Sequence, residues 1–136
     1  MSPVKTPFEN PLNSDYNYHV FPDEVQSLVR ELEDAPELIL DVFPQYSGHE
    51  VYALTLTDPS VPSEGKQALF VSRPHAHEPA GTAAILELAK ALLSYGIYSE
   101  LDSKWRTEIL RRYIITLVPD ANPYGSHRAP VKFWGG

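Results

Sequence analysis

There is no cysteine in the 136 residues, which excludes a disulfide framework and every cysteine-based zinc site. Any metal would have to be held by histidine, aspartate or glutamate. Bases are outnumbered, 11 Lys and Arg against 18 Asp and Glu, and a net charge of −7 disfavours nucleic acid as a partner. The amino-terminal stretch MSPVKTPFENP lacks a basic segment followed by an apolar core, so no signal peptide is read there. No apolar run approaches the roughly 20 residues that span a bilayer. A cytoplasmic location with no membrane partner is the expectation.

What is there is ordinary globular composition, 43% hydrophobic and 21% charged, enough for one modest domain with a core. The charge is unevenly spread. Residues 23–41 hold Asp23, Glu24, Glu31, Glu33, Asp34, Glu37 and Asp41 against Arg30 alone. Residues 104–132 hold Lys104, Arg106, Arg111, Arg112, Arg128 and Lys132 against Glu108 and Asp120. Two solvated helix faces account for this. A basic half facing an anionic substrate group is the sharper alternative.

Residues 1–20, with Pro3, Pro7 and Pro11, read as an extended arm. In 22–32, Val25, Leu28, Val29 and Leu32 recur at helical spacing, with acids in the first turn. The β-branched and aromatic runs 37–43 and 49–57 flank a turn containing Ser47 and Gly48, which predicts a hairpin. Residues 58–67 are a loop. The short unbroken apolar run 68–72 fits a strand buried on both faces. A helix is predicted from Pro79 to about Tyr95, stopped by Gly96, and a second over about 102–112 with Asp102 as candidate cap. The last strand, 113–118, runs into the turn-rich 119-PDANPYG-125.

This order implies an α/β chain: a mixed sheet with an N-terminal hairpin and a parallel βαβ crossover, helices packed on the sheet. Ligands in such sheets gather at the carboxyl ends of the parallel strands. Both 73-RPHAHE-78 and 119-PDANPYGSHR-128 lie at such ends and should face one crevice.

His75 and Glu78 stand in a His-x-x-Glu spacing on a turn entering a helix, which can aim an imidazole nitrogen and a carboxylate at one point. Zinc accepts both, and a catalytic zinc uses three protein ligands and a water. Alone the spacing is weak evidence; a first-turn helix acid beside a loop histidine would look the same. The context strengthens it, since about forty residues later a second strand ends in Asn122, Pro123, Tyr124 and Gly125.

With those two motifs in order, the chain resembles the zinc carboxypeptidases of the funnelin type, from about residue 22 to the end. That family has a His-x-x-Glu zinc motif after one strand and an Asn-Pro-Asp-Gly turn after a neighbouring one. The resemblance implies that His75 and Glu78 are two ligands of one zinc ion. It implies a substrate-facing turn at Asn122 and Tyr124, where Tyr124 replaces the family's aspartate. Arg128 is the candidate to polarise the scissile carbonyl and steady the oxyanion, with Lys132 behind it. Arg73 could instead reach the substrate, or form a surface salt bridge. His77 reads as structural, His127 as an improbable third ligand, and His19 and His49 as surface histidines.

The family's third ligand, its carboxylate anchor and its general-base glutamate have no counterpart before residue 136. The expectation is therefore an arm over 1–20 and, over 21–136, the N-terminal half of a catalytic domain. Its function would be cleavage of a C-terminal peptide bond by metal-activated water, on a peptide or small amide substrate. A deacylase-type amidohydrolase acting on small N-acyl amino acids is the alternative within enzymes, and a non-catalytic binding module on the same fold the alternative outside them. A strand such as 68–72 left at an open edge should make this fragment self-associate.

Overall fold

The structure, a computed structural model, describes residues 21–76 and 78–128. The arm 1–20, His77, Lys132 and the rest of 129–136 lie outside the described residues. In chain order come α1 (Pro22–Leu32), the hairpin β1 (Leu38–Pro44) and β2 (Glu50–Leu56), β3 (Gln67–Ser72), α2 (Ala80–Leu92), a 3-10 turn (Gly96–Glu100), α3 (Lys104–Arg112), β4 (Tyr113–Val118) and α4 (Pro123–Arg128). The sheet order is β1-β2-β4-β3, with β3 parallel to β4 and the other pairs antiparallel. The mixed sheet, the hairpin and the β3–α2–β4 crossover are those the sequence predicts.

Alternation along the strands explains where the core sits. Leu38, Leu40 and Val42 pair in register with Leu56, Leu54 and Tyr52, and Leu56 and Leu54 in turn with Ile115 and Leu117 of β4. That is one face of the sheet. Onto it α1 delivers Val25, Leu28, Val29 and Leu32, and α2 delivers Ile85, Leu86, Ala89 and Leu92, all buried in one cluster. The hairpin turns at Gly48, whose φ of +87° puts it in the left-handed region that glycine enters without strain. Gln45 and His49 close the turn through a 2.8 Å backbone hydrogen bond.

The opposite face tells a different story. Ile39, Phe43 and Phe70 point there and are 62%, 55% and 70% exposed. The expectation of a strand buried on both faces is wrong for β3 as it stands here. Leu69 and Val71 pair with the core residues Ile115 and Leu117 yet are themselves exposed. Among the described residues nothing pairs with the outer edge of β3. Its apolar side chains thus lack neighbours on the outer edge and on the open face.

Residues Ala80–Glu100 are apolar and long enough to cross a bilayer by length and composition, contrary to the sequence-based expectation. The stretch is not one uninterrupted rod. Ser94 takes φ 54° and separates α2 from the 3-10 turn, and Ile85, Leu86, Ala89 and Leu92 are packed into the core. These are marks of a core helix. At the start of α3 the cap is Ser103 rather than Asp102, whose carboxylate instead accepts from the Lys104 N–H at 3.0 Å.

One prediction concerns the hairpin. Tyr52 is buried at the rim of the core, and its hydroxyl donates to Glu50 Oε2 at 2.8 Å. Burial, then this hydrogen bond, pushes its pKa up to about 12 from 10.0. The folded chain therefore keeps the proton at a pH where the unfolded tyrosine loses it. The contribution to stability is complete below pH 10 and disappears as pH rises toward 12. Phenolate absorbance should show a late-titrating tyrosine component that shrinks in Tyr52→Phe, Tyr95 being raised as well by its hydrogen bond to Glu31, and that variant should lose less stability on alkaline titration. A wild-type curve identical to the variant's would contradict this.

Candidate metal centre

The two loops expected to face one crevice lie side by side, because the backbones that follow β3 and β4 are tied together. The Arg73 N–H donates to the Val118 carbonyl at 3.2 Å, and the Ala121 N–H donates to the Arg73 carbonyl at 3.0 Å. The ladder thus runs one residue past Ser72, which pairs with Val118, before the loops diverge. Thr82, fully buried on the first turns of α2, donates from its hydroxyl to the Pro119 carbonyl at 2.7 Å. Helix α2 is in this way pinned to the end of β4.

On the first of these loops, His75 Nδ1 and Glu78 Oε2 stand 3.1 Å apart, with both side chains substantially exposed. A turn hydrogen bond from the Glu78 N–H to the His75 carbonyl, 3.2 Å, brings the two residues to one side. Zinc bonds of about 2.0–2.2 Å at a tetrahedral angle separate two donors by roughly 3.3–3.6 Å, a little more than the 3.1 Å seen here. One nitrogen and one carboxylate oxygen at this spacing fit two corners of such a site. Among the described residues no group of three or more His, Asp or Glu is placed to hold a metal.

The other expected residues divide into two groups. Asn122 Oδ1 accepts from the Gly125 N–H at 3.1 Å, a closed turn that opens α4. The residue pattern here predicts a loop, and the structure has the short helix α4 instead. Tyr124 and Arg128 sit one helical turn apart on α4, the guanidinium donating to the Tyr124 hydroxyl at 2.8 Å with both side chains exposed. His127, the other candidate ligand, lies instead against His49 of the hairpin, ring centroids 5.2 Å apart and the planes tilted by 45°. His49 is consequently half-buried rather than a plain surface histidine.

Arg73 is the clearest correction. Neither a substrate contact nor a surface salt bridge describes it, for the residue is 4% exposed. It forms an ion pair with Asp120 Oδ1 at 2.9 Å, and the same terminal nitrogen donates to the Ser126 hydroxyl. Its Nε–H donates to the Glu78 carbonyl at 3.1 Å and its other terminal nitrogen to the Ala76 carbonyl at 2.9 Å. A guanidinium so occupied has no fork left for substrate. Asp120 and Ser126 were overlooked in the sequence. The signal available was register: Arg73 follows β3 as Asp120 follows β4, so the two charges emerge side by side.

Gly125 makes the loops touch. A Cβ built on it would lie 2.7 Å from the Ala76 Cβ and 2.6 Å from the Asn122 side-chain nitrogen. Glycine to alanine within a helix ordinarily gains about 0.5–1 kcal/mol. Here the overlap with Ala76 should win, and Gly125→Ala is expected to destabilise by about 1–3 kcal/mol. Ala76→Gly in the same chain should recover part of the loss in a urea titration. A neutral or stabilising Gly125→Ala would mean that α4 stands off from the 75–78 loop.

Comparison with known proteins decides what this arrangement belongs to. A profile described as zinc carboxypeptidase matches residues 31–132. The chain belongs to the zinc carboxypeptidase family. Solved structures agree on the fold. A metallo-carboxypeptidase from Burkholderia cenocepacia superposes with a TM-score of 0.65 at 20% identity, covering 79% of this chain and 28% of that one. Thrombin activatable fibrinolysis inhibitor gives 0.64 at 20% identity, over 85% of this chain and 29% of that one. A metallo-carboxypeptidase from Pseudomonas aeruginosa, in complex with (2-guanidinoethylmercapto)succinic acid, gives 0.56 at 18% identity, over 77% and 26%. The chain thus spans less than a third of the length of these carboxypeptidases. No curated protein sequence matches it.

Proposed function

We propose that this chain carries the first two metal ligands of a zinc-dependent hydrolase of the metallocarboxypeptidase type, which removes residues from the C-terminus of a peptide. The observation that carries the reading is the 3.1 Å approach of His75 Nδ1 to Glu78 Oε2 at the mouth of α2, in a chain of the zinc carboxypeptidase family. That distance alone would suit an ion pair equally well. Family membership and the loop's place at the carboxyl end of a parallel strand favour the ligand reading.

Zinc held there would polarise the scissile carbonyl and lower the pKa of its bound water. The residues of this chain have other tasks. His75 and Glu78 supply a neutral donor and an anionic one. Asn122 and Tyr124, exposed on the turn whose Gly125 packs against Ala76, are the candidates to touch the peptide. Arg128 is the candidate to stabilise the oxyanion; it is exposed and its guanidinium donates to the Tyr124 hydroxyl. Among the described residues no third His, Asp or Glu joins His75 and Glu78 to hold a metal.

The deciding experiment is hydrolysis by the full-length, zinc-loaded protein of a peptide series with free C-termini, beside N-acyl amino acids. The expected result is peptide cleavage that is sensitive to chelators and lost in His75→Ala and Glu78→Ala. Preference for the N-acyl amino acids would make it a deacylase. Stoichiometric zinc with neither activity would leave a binding module.

A further inference from the structure

The guanidinium of Arg73 reaches the metal pair from behind. Its Nε–H and one terminal nitrogen hold the carbonyls of Glu78 and Ala76, at 3.1 and 2.9 Å. Those two carbonyls belong to the loop that carries both candidate ligands. The other terminal nitrogen is anchored on the far loop, to Asp120 Oδ1 at 2.9 Å and to the Ser126 hydroxyl. Each anchor is itself fixed. Asp120 Oδ1 also accepts from the Asn122 N–H at 3.0 Å, and Ser126 donates to the Asn122 carbonyl at 3.0 Å. The stem is confined too, since a Cβ on Gly81 would come within 2.9 Å of Arg73 Cγ. The side chain lies between the first turn of α2 and the two loops, almost fully buried.

A buried charge in this position is costly unless it is paired and fully hydrogen-bonded. A lysine could pair with Asp120, but only a planar fork of donors can serve two carbonyls on one loop and two oxygens on the other. We propose that Arg73 is the positioning residue of the metal centre, holding the 75–78 turn so that His75 and Glu78 present their donors at ligand spacing. The inference rests on the metal reading given above. It predicts that the site is set by the β4 loop as much as by its own, because the clamp is bolted to Asp120 and Ser126.

The test uses the full-length protein as wild type, Arg73→Lys, Ser126→Ala and His75→Ala. Zinc affinity is measured by chelator competition, and exchange of the Glu78 amide by mass spectrometry on the metal-free protein. Arg73→Lys keeps a cation for Asp120 and loses the fork. It should weaken zinc about 10–100-fold, the range for residues that orient metal ligands, and speed Glu78 exchange at least tenfold. Ser126→Ala removes one anchor and leaves the guanidinium, so it should shift both readouts in the same direction by a smaller factor. It also decides the question should Arg73→Lys fail to fold. A residue that merely holds the fold would lower the unfolding midpoint and leave the zinc affinity of the folded molecules unchanged. Unchanged affinity and exchange in the folded Arg73 or Ser126 variant, beside zinc binding lost in His75→Ala, would overturn the inference alone. Tight binding retained in His75→Ala would sink the metal reading and this inference with it.

Discussion

Replacing Asp120 by alanine is expected to destabilise the chain by about 3–5 kcal/mol, the cost of stranding one half of a buried ion pair. The pair is almost wholly removed from water, with side-chain exposures of 4% for Arg73 and 3% for Asp120. An arginine cannot shed its proton to escape. Asp120→Ala would therefore leave a guanidinium with hydroxyl and carbonyl partners and no counter-charge. The Asn122 N–H would lose its acceptor as well. A surface pair such as Arg112–Glu108, with both side chains more than two-thirds exposed, should give less than about 1 kcal/mol in the same assay. The native pair is also imperfect, for Asp120 Oδ2 is buried without a hydrogen-bond partner. A charge-free double variant, Arg73→Met with Asp120→Leu, should recover only part of the loss, since the Ala76 and Glu78 carbonyls and the Asn122 N–H stay unpaired. Urea titration checks this through the midpoint at constant slope. A loss below about 1 kcal/mol for Asp120→Ala would mean that water reaches the pair.

The same residues mark the limit of what could be read in advance. Helix α1 was legible to its last residue, since Val25, Leu28, Val29 and Leu32 set a helical period that no neighbour needs to supply. The hairpin was legible from alternation and from Gly48, and the His75–Glu78 proximity from spacing across a strand-to-helix turn. All of these are short-range facts. The burial of Arg73 is not short-range. A charge after a strand reads as solvated until Asp120 and Ser126, from a distant part of the chain, close over it. Helix α4 was hidden for a related reason: Asn-Pro-Tyr-Gly is turn chemistry, and Gly125 is demanded by Ala76 of another loop. Strand β3 misled in the opposite sense. Its apolar run reads as buried on both faces, while the described residues leave one face open, cover the other only in part and leave one edge unpaired.

That open edge carries the second large expectation. The isolated 136-residue chain should self-associate through β3, another copy pairing where β4 does not. One side of β3 is satisfied by β4 from Gln67 to Ser72, and the other is left unpaired among the described residues. Exposed apolar side chains stand on both faces of the same strand: Leu69 at 46%, Val71 at 41% and Phe70 at 70%. No charged residue interrupts them, and no proline lies within the strand, so the usual guards of an edge are missing. An antiparallel approach of two β3 edges about a two-fold axis puts Phe70 of both copies into one contact. Burying each phenylalanine is worth about 1.5–3 kcal/mol. Phe70→Lys removes two of them at once and sets two like charges face to face. The loss is roughly 3–6 kcal/mol, or about 100- to 10,000-fold in dissociation constant. Ile39→Lys, on the same open face but on β1 at the far edge, should change it little. Sedimentation equilibrium on the three proteins checks the prediction. Monomeric wild type at high concentration would refute association, and equal weakening by both substitutions would place the contact on the open face rather than the edge.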